Sequence, residues 1–329
     1  MNDNVKCPKV SIVIISYNQA HFIREALDSV VTQDYPNLEI VVSDDASTDG
    51  TQDIIKEYQQ KYPHLIKPLL ADKNGGISVN VNRGLIACSG EFIAFMAGDD
   101  FFFPGKIRHQ VELMMNNPYC SLSWHQAVIF DSDSKKTLGI IGRNALDILT
   151  ARDLVEPGNW CAEGKGGFLP SSIMVRKALR PAEGFNEQIP LGSELLYIVE
   201  AARNGYILKL DGIWGAYRIQ RGSACRANSK QVDKDFIDSL LYIHHHMPDL
   251  SEIIYKYNNL EIPISLIDSG QIKSGRLFLL KQFSANPFNL GRTLYIILIY
   301  LFPKGGIATY RYLTSRLQAG KGYFKSILK

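Results

Sequence analysis

Apolar positions in the first hundred residues alternate between two periods. The continuous β-branched run "KVSIVIISY" (9–17) predicts a buried strand. "AHFIREALDSVVTQ" (20–33) places its apolar residues at helical spacing. "LEIVVSD" (38–44) predicts a second strand, "DGTQDIIKEYQQKY" (49–62) a second helix with Asp49 or Ser47 as N-cap, and "HLIKPLLA" (64–71) a third strand. "SVNVNRGLIACSG" (78–90) predicts a helix closed by Gly90, and "EFIAFMAG" (91–98) a fourth strand. Strands alternating with helices imply a mostly parallel sheet with helices on both faces, an α/β fold.

Past Asp100 the pattern is mixed. "LSWHQAVIFDSDSKKTLGII" (122–141) predicts a hairpin, and "GNWCAEGKGGFLPSSIMV" (158–175) a glycine-rich loop entering a strand. "SELLYIVEAARNG" (193–205) predicts a helix ending at Gly205, and "ILKLDGIWGAYRI" (207–219) a pair of strands. Beyond Ala227 the pattern is helical, which divides the chain into 1–226 and 227–329. The composition, 46% hydrophobic and 21% charged over 329 residues, excludes disordered and collagen-like classes.

Three polar clusters fall at strand ends: "SYN" (16–18), "SDDASTDGT" (43–51) and "AGDD" (97–100). Ligands of such sheets bind outside the carboxyl ends of the strands, so the three loops are expected to meet at one site. The "STDGT" part alone reads as a capped turn. Adjacent acids, Asp44-Asp45 and Asp99-Asp100, need a further reason, because like charges repel. Paired carboxylates at a strand end suit a hard divalent cation bridging diphosphate oxygens. Taken alone, Asp99-Asp100 reads equally as a loop start in which Asp100 caps the next helix.

Together, "VSIVIISYNQAHFIREALDSVVTQDYPNLEIVVSDDASTDGT" and "NGGISVNVNRGLIACSGEFIAFMAGDDFFFPGKI" closely resemble the inverting family-2 glycosyltransferases of the GT-A fold, over roughly residues 8–225. The chain lacks the Q-x-x-R-W motif and the membrane spans of processive synthases, so it resembles the non-processive branch. The resemblance implies nucleotide contacts from Ser16, Tyr17 and Asn18, and a base-reading Asp45 supported by Asp44. It further implies donor contacts from Asn74, Gly75, Asn82 and Asp99, and a Mg2+ or Mn2+ cofactor on Asp99 and Asp100. Ala97 stands where the D-x-D motif has its first acid, and Gln220 where the closing Y-R-x-H-x-G-S loop has its histidine, so the metal site is reduced. Arg218 or Arg221 of "YRIQRGS" (217–223) is expected to pair with the diphosphate.

The family's general base is usually the acid of an E-D pair opening a helix in the second half. Here that place holds Ser193-Glu194, and Glu194 is the candidate base. A first-turn acid complementing the helix dipole is the alternative. Trp160 reads equally as a sugar-stacking side chain or as core. Trp124 and His125 read as packing, and the run His244-His245-His246 as a solvated helix.

Five scattered cysteines without a C-x-x-C pair suit a reducing cytosol, and "VSIVIIS" is too short for a secretory signal. From Lys281 to Lys329 there are eight Lys or Arg and no Asp or Glu, while the rest carries 28 basic and 33 acidic residues. "TLYIILIYLF" (293–302), flanked by Arg292 and Lys304, reads as an interfacial anchor on an anionic membrane. A buried helix with a basic outer face is the alternative. No nucleic-acid motif accompanies the charge.

The sequence therefore points to transfer of one sugar from a nucleoside-diphosphate sugar, UDP-linked first. The acceptor is a hydroxyl of a glycan or lipid-linked glycan in cell-surface polysaccharide synthesis. The expected location is cytoplasmic, peripheral at the inner face of the plasma membrane. A degenerate module that binds nucleotide sugars or partners without catalysis is the alternative. A dinucleotide enzyme ranks below both, because no G-x-G-x-x-G follows the first strand.

Overall fold

The computed structural model describes residues 7–142, 146–156, 169–191, 193–220, 229–255, 260–268 and 270–285, with isolated positions from 296 to 310. The first part alternates strand and helix as the apolar periods require: β1 (Val10–Ser16), α1 (Ile23–Val31), β2 (Leu38–Asp44), α2 (Thr51–Lys61), β3 (Ile66–Leu70), α3 (Ile77–Ala87) and β4 (Phe92–Ala97). There follow β5 (Phe101–Phe102), α4 (Lys106–Met115), β6 (Cys120–Asp131), β7 (Lys136–Ile141), β8 (Ile148–Leu149), α5 (Ala151–Val155), a 3-10 turn (Pro170–Ser172) and β9 (Met174–Arg176). After a further 3-10 turn come α6 (Glu194–Arg203), β10 (Tyr206–Ile219), α7 (Ser229–His246), α8 (Pro248–Ile254), α9 (Glu261–Asp268) and α10 (Ile272–Ala285).

One ten-stranded sheet runs β3-β2-β1-β4-β9-β6-β10-β5. β3, β2, β1 and β4 are parallel; β9 lies antiparallel between β4 and β6; β6 and β10 are parallel. β7 extends β6 as the expected hairpin, and β8 pairs β10.

Both faces are covered. Val10, Ile12 and Ile14 share a core with Ile23, Leu27, Ile55, Ile107 and Val111 of α1, α2 and α4. On the other face Val13 meets α3, where a Cβ on Gly84 would lie 2.4 Å from Val13 Cγ2. Further along that face, Phe95 of β4 packs edge-on to Tyr197 of α6, ring centroids 5.7 Å apart.

Local details depart from expectation at three points. β10 is one fourteen-residue strand, not two. Register shifts on either side of Ile213, next to Gly212 at φ +101°, bend it enough that "LDGIWG" reads as a turn. Gly90 does not cap α3, which ends against an extended Cys88; a Cβ on Gly90 would lie 2.5 Å from the Ser11 nitrogen. The N-cap of α2 is a left-handed Gly50, while Asp49 accepts the Thr51 N–H at 3.0 Å.

The chain forms two compact units, residues 1–239 and 240–329, the division falling within α7. In the second unit Leu260, Ile264, Ile267, Leu279, Ile296, Ile299 and Ile307 form a small core of their own. His245 and His246 are exposed there, as on a solvated helix. His244 is half-buried instead: it bonds the Ser251 hydroxyl at 2.6 Å and packs on Phe278. In the first unit Trp124 and His125 are buried, as a packing reading requires.

Candidate active site at the carboxyl edge of the sheet

The register aligns the polar clusters. Ser16 pairs with Asp44 and Ile15 with Ala97, so β1, β2 and β4 end side by side. The strand order reverses between β1 and β4, the kind of position at which open sheets form ligand crevices.

Asp44 is fully buried and organises the β2 loop. Its carboxylate accepts Ser16 Oγ at 2.8 Å, the Ser47 N–H at 2.9 Å, Ser47 Oγ at 2.5 Å and Gln52 Nε2 at 2.9 Å. The Asp44 carboxylate and the Ser16 hydroxyl are thus spent on each other and on the loop. Asn18, at φ +52°, donates its N–H to Ser47 Oγ and accepts the Thr48 N–H at 2.9 Å, fastening the β1 loop to the β2 loop. Tyr17 before it is half exposed.

Asp45 joins the β2 loop to the loop before α3. Its carboxylate accepts the Gly75 and Gly76 N–H groups at 3.0 and 2.8 Å, and its carbonyl accepts Asn74 Nδ2 at 3.3 Å. Arg83 brings its guanidinium to 3.4 Å from Asp45. Nothing local in the sequence marks this half-buried cation except its position in the helix that follows Gly75-Gly76. Asp45, Asn74 and Gly75, expected together, are together.

Asn82 is engaged elsewhere. Its amide donates to the Phe185 carbonyl and to Glu187, both at 2.9 Å, and its oxygen accepts the Phe185 N–H at 2.7 Å. Asn82 therefore positions the segment leading to α6, in place of the expected nucleotide contact. Ser78 continues this tie, donating to the Ile189 carbonyl at 2.8 Å and lying 3.0 Å from Ser193 Oγ.

The two acids after β4 diverge. Asp100 is buried and accepts the Ser171 hydroxyl on one oxygen and the Arg218 N–H, at 2.8 Å, on the other. Burial first, and then the charge of Asp99, push its carboxyl up from the ordinary range. Asp99 is less enclosed and accepts Gln220 Nε2 at 2.8 Å; burial raises it as well. Asp100 is a scaffold acid here, against its expected place as a cation ligand.

Arg218 likewise departs from its expected place at a diphosphate. It is 5% exposed, with its guanidinium 5.0–5.3 Å from the ring centres of Phe22, Phe101 and Phe130. Nε donates to the Asp99 carbonyl at 2.6 Å, one terminal nitrogen to Ser132 at 2.9 Å and the other to Glu25. All three guanidinium nitrogens are engaged, so Arg218 braces the strand end and presents no free fork. Arg221, Trp160 and the tail beyond Tyr310 lie outside the described residues.

These residues do not build a resident metal cage. Among the described residues no group of three His, Cys, Asp and Glu side chains gathers, and Asp100 has both oxygens engaged.

Glu194 opens α6, as expected, and is half-buried. It lines a small recess, partly open to solvent, with Phe95, Pro170, Ile173, Phe185, Tyr197 and Ile198. Burial in these apolar surroundings pushes its carboxyl up to about 7, and Asp235 adds to this. The recess adjoins the strand end: Ser171, next to Pro170, accepts the Ala97 N–H at 3.0 Å and donates to Asp100.

The glycosyl transferase family 2 profile matches residues 11–163. An uncharacterised glycosyltransferase of Nostoc sp. is 32% identical over 231 residues, covering 69% of this chain and 70% of that one. The chain belongs to glycosyltransferase family 2. Uncharacterised mycobacterial relatives, among them one from Mycobacterium tuberculosis, are 40% identical over 175 residues, half of this chain, and the chain spans about half their length. S. aureus TarS residues 1–349, solved in complex with UDP-GlcNAc, superimposes with a TM-score of 0.65 at 18% identity, over 95% of this chain and 92% of that one. That likeness shows the GT-A fold, and the parallel strands β1, β2 and β4 of this family-2 chain carry its site edge.

Proposed function

We propose that this chain transfers a single sugar from a nucleoside-diphosphate sugar to a hydroxyl of a glycan or lipid-linked glycan in cell-surface polysaccharide synthesis. UDP is the leading nucleotide, because the TarS structure of the same fold holds UDP-GlcNAc. The loops carrying Tyr17, Asn18, Asp45, Asn74 and Gly75 hold the nucleoside, and Arg83 supplies a cation beside them. The observation that carries the reading is Glu194, a carboxyl pushed to about 7 in an apolar recess adjoining the end of β4. A base tuned near neutrality matches proton abstraction from an alcohol as it attacks.

In the step itself the acceptor O–H proton passes to Glu194 and the acceptor oxygen bonds to the anomeric carbon. The bond from that carbon to the diphosphate oxygen breaks, and its electron pair leaves with the nucleoside diphosphate. Attack from the face opposite the leaving group inverts the anomeric centre. A divalent cation carried in by the diphosphate would meet Asp99; no step here depends on it. A peripheral position at the inner membrane face puts the enzyme beside lipid-linked acceptors.

A panel of UDP-, GDP- and dTDP-sugars with wild type and Glu194→Gln tests the proposal. Expected are turnover on one nucleotide class, an inverted product anomer by NMR, and loss of transfer with donor binding retained in the variant. Full-rate transfer by Glu194→Gln overturns the base assignment. The absence of a first acid at Ala97 favours one other reading, a donor-binding module without transfer. Calorimetric UDP binding with no turnover on any donor would establish it.

A further inference from the structure

The described part of the run 293–302, expected as an anchor, faces two ways, with Leu301 54% exposed. Ile296 and Ile299 are buried in the core of the second unit, which they share with Ile264, Ile267 and Leu279. Among the described residues of that unit, the larger group of exposed apolar side chains lies on α10. Gly275, Phe278, Leu279 and Gln282 form its inner side, and Ile272, Leu277, Leu280 and Phe283 are all exposed, Leu277 by 54%. At 100° per residue these four spread over less than half of the helix circumference, and exposed Lys273 and Lys281 lie within and beside that arc.

A solvent-facing helix side normally carries charge, so four large apolar side chains there need a partner. The charge pattern says which. Asp268 is the last acid of the chain, and residues 269–329 hold ten Lys and Arg and no Asp or Glu. So one-sided a charge along the sequence favours an anionic partner over a protein of mixed charge. A bilayer with anionic headgroups fits, because it attracts each nearby lysine while the apolar side chains leave water. Among the described residues no helix is long and apolar enough to cross the membrane, so the contact is a surface one.

We propose that the outer face of α10 (Ile272, Leu277, Leu280 and Phe283 with Lys273 and Lys281) docks on an anionic lipid surface. The inference deepens the peripheral location proposed above and places a contact on α10. It does not depend on the sugar-transfer step.

The test is co-sedimentation of the full chain with phosphatidylcholine vesicles, with and without phosphatidylglycerol, at low and high salt. Wild type should bind the anionic vesicles in a salt-sensitive way. Leu277→Glu/Leu280→Glu and, separately, Lys273→Ala/Lys281→Ala should each bind roughly tenfold or more weakly. Circular dichroism and calorimetric UDP binding should match wild type, which separates failure of this surface from failure of the donor reading. If the glutamate pair unfolds the helix, the alanine pair decides. Vesicle binding unchanged in the alanine pair overturns the proposal, as does no binding by wild type. Concentration-dependent self-association of wild type without vesicle binding, abolished by the glutamate pair, also overturns it and assigns the face to a second copy.

Discussion

Gln220 donates its side-chain amide to the Asp99 carboxylate at 2.8 Å, closing the end of β10 onto the end of β4. A neutral amide steers this acid without adding charge, and the backbone N–H of Arg218, two residues earlier, holds Asp100. Adjacent acids are thereby given different work. Asp99→Asn should lower donor kcat/KM with little change in melting temperature. Asp100→Asn should act on stability instead. Its folded pKa is raised, so the wild-type contribution is fully present below the unfolded value near 4 and is lost as pH rises. The melting temperature of Asp100→Asn relative to wild type should therefore climb between about pH 5 and 8. A difference that stays flat or falls refutes this, and thermal scans in matched buffers read it.

As the proposed base, Glu194 should set the pH profile. A base must be unprotonated, so single-turnover transfer should rise with pH and level off above about 7, where its carboxyl titrates. Glu194→Gln should lose roughly 10²- to 10⁴-fold in kcat at nearly unchanged donor affinity. The raised pKa also means that the ionised carboxyl costs stability above that pH. The variant should then melt higher than wild type at alkaline pH and equally at acid pH.

Arg218 should reveal itself as structural. Removing a buried guanidinium that holds Asp99, Ser132 and Glu25 leaves those partners unpaired. Arg218→Met should cost about 3 kcal/mol by urea unfolding, the low end for such pairs because Glu25 is half exposed. Donor KM measured on the folded fraction should move little.

Asp45 acts through the Gly75 and Gly76 amides. Asp45→Ala leaves the Gly75 N–H without an acceptor and the Gly76 N–H with only Asn74 Oδ1 at 3.2 Å, an orphaned N–H costing about 1–3 kcal/mol where water cannot replace the partner. UDP affinity by calorimetry should fall roughly tenfold or more. Asp45→Asn keeps a carbonyl oxygen for those amides and should lose less.

Strand ends were legible because they rest on short-range pattern. β2 spans Leu38–Asp44, as its run of apolar and β-branched residues requires. The convergence of three loops followed from the alternation of strand and helix. Elements without a period of their own were not legible: β5 and β8 have two residues each, and α4 follows Pro104 and Gly105 without a clear apolar stripe. Side-chain roles escaped the sequence where the partner is remote along the chain. Asn82 is spent on Phe185, Arg218 on Asp99, and Asp100 on Ser171, pairings that no local pattern encodes. The segment 293–302 reads as an anchor or as core, and its pattern does not say which side chains turn inward: Ile296 and Ile299 do, while Leu301 is exposed.

Ser171 accepts from Ala97 and donates to Asp100, and its neighbour Pro170 lines the recess of Glu194. A hydroxyl can accept and donate at once, so one oxygen joins the wall of the recess, proposed to receive the alcohol, to the strand end proposed to face the donor. A shared hydroxyl of this kind is a route by which the two sides could be coupled. On the proposed reading any coupling through it is reciprocal: whatever factor one ligand adds to the affinity of the second, the second must return to the first.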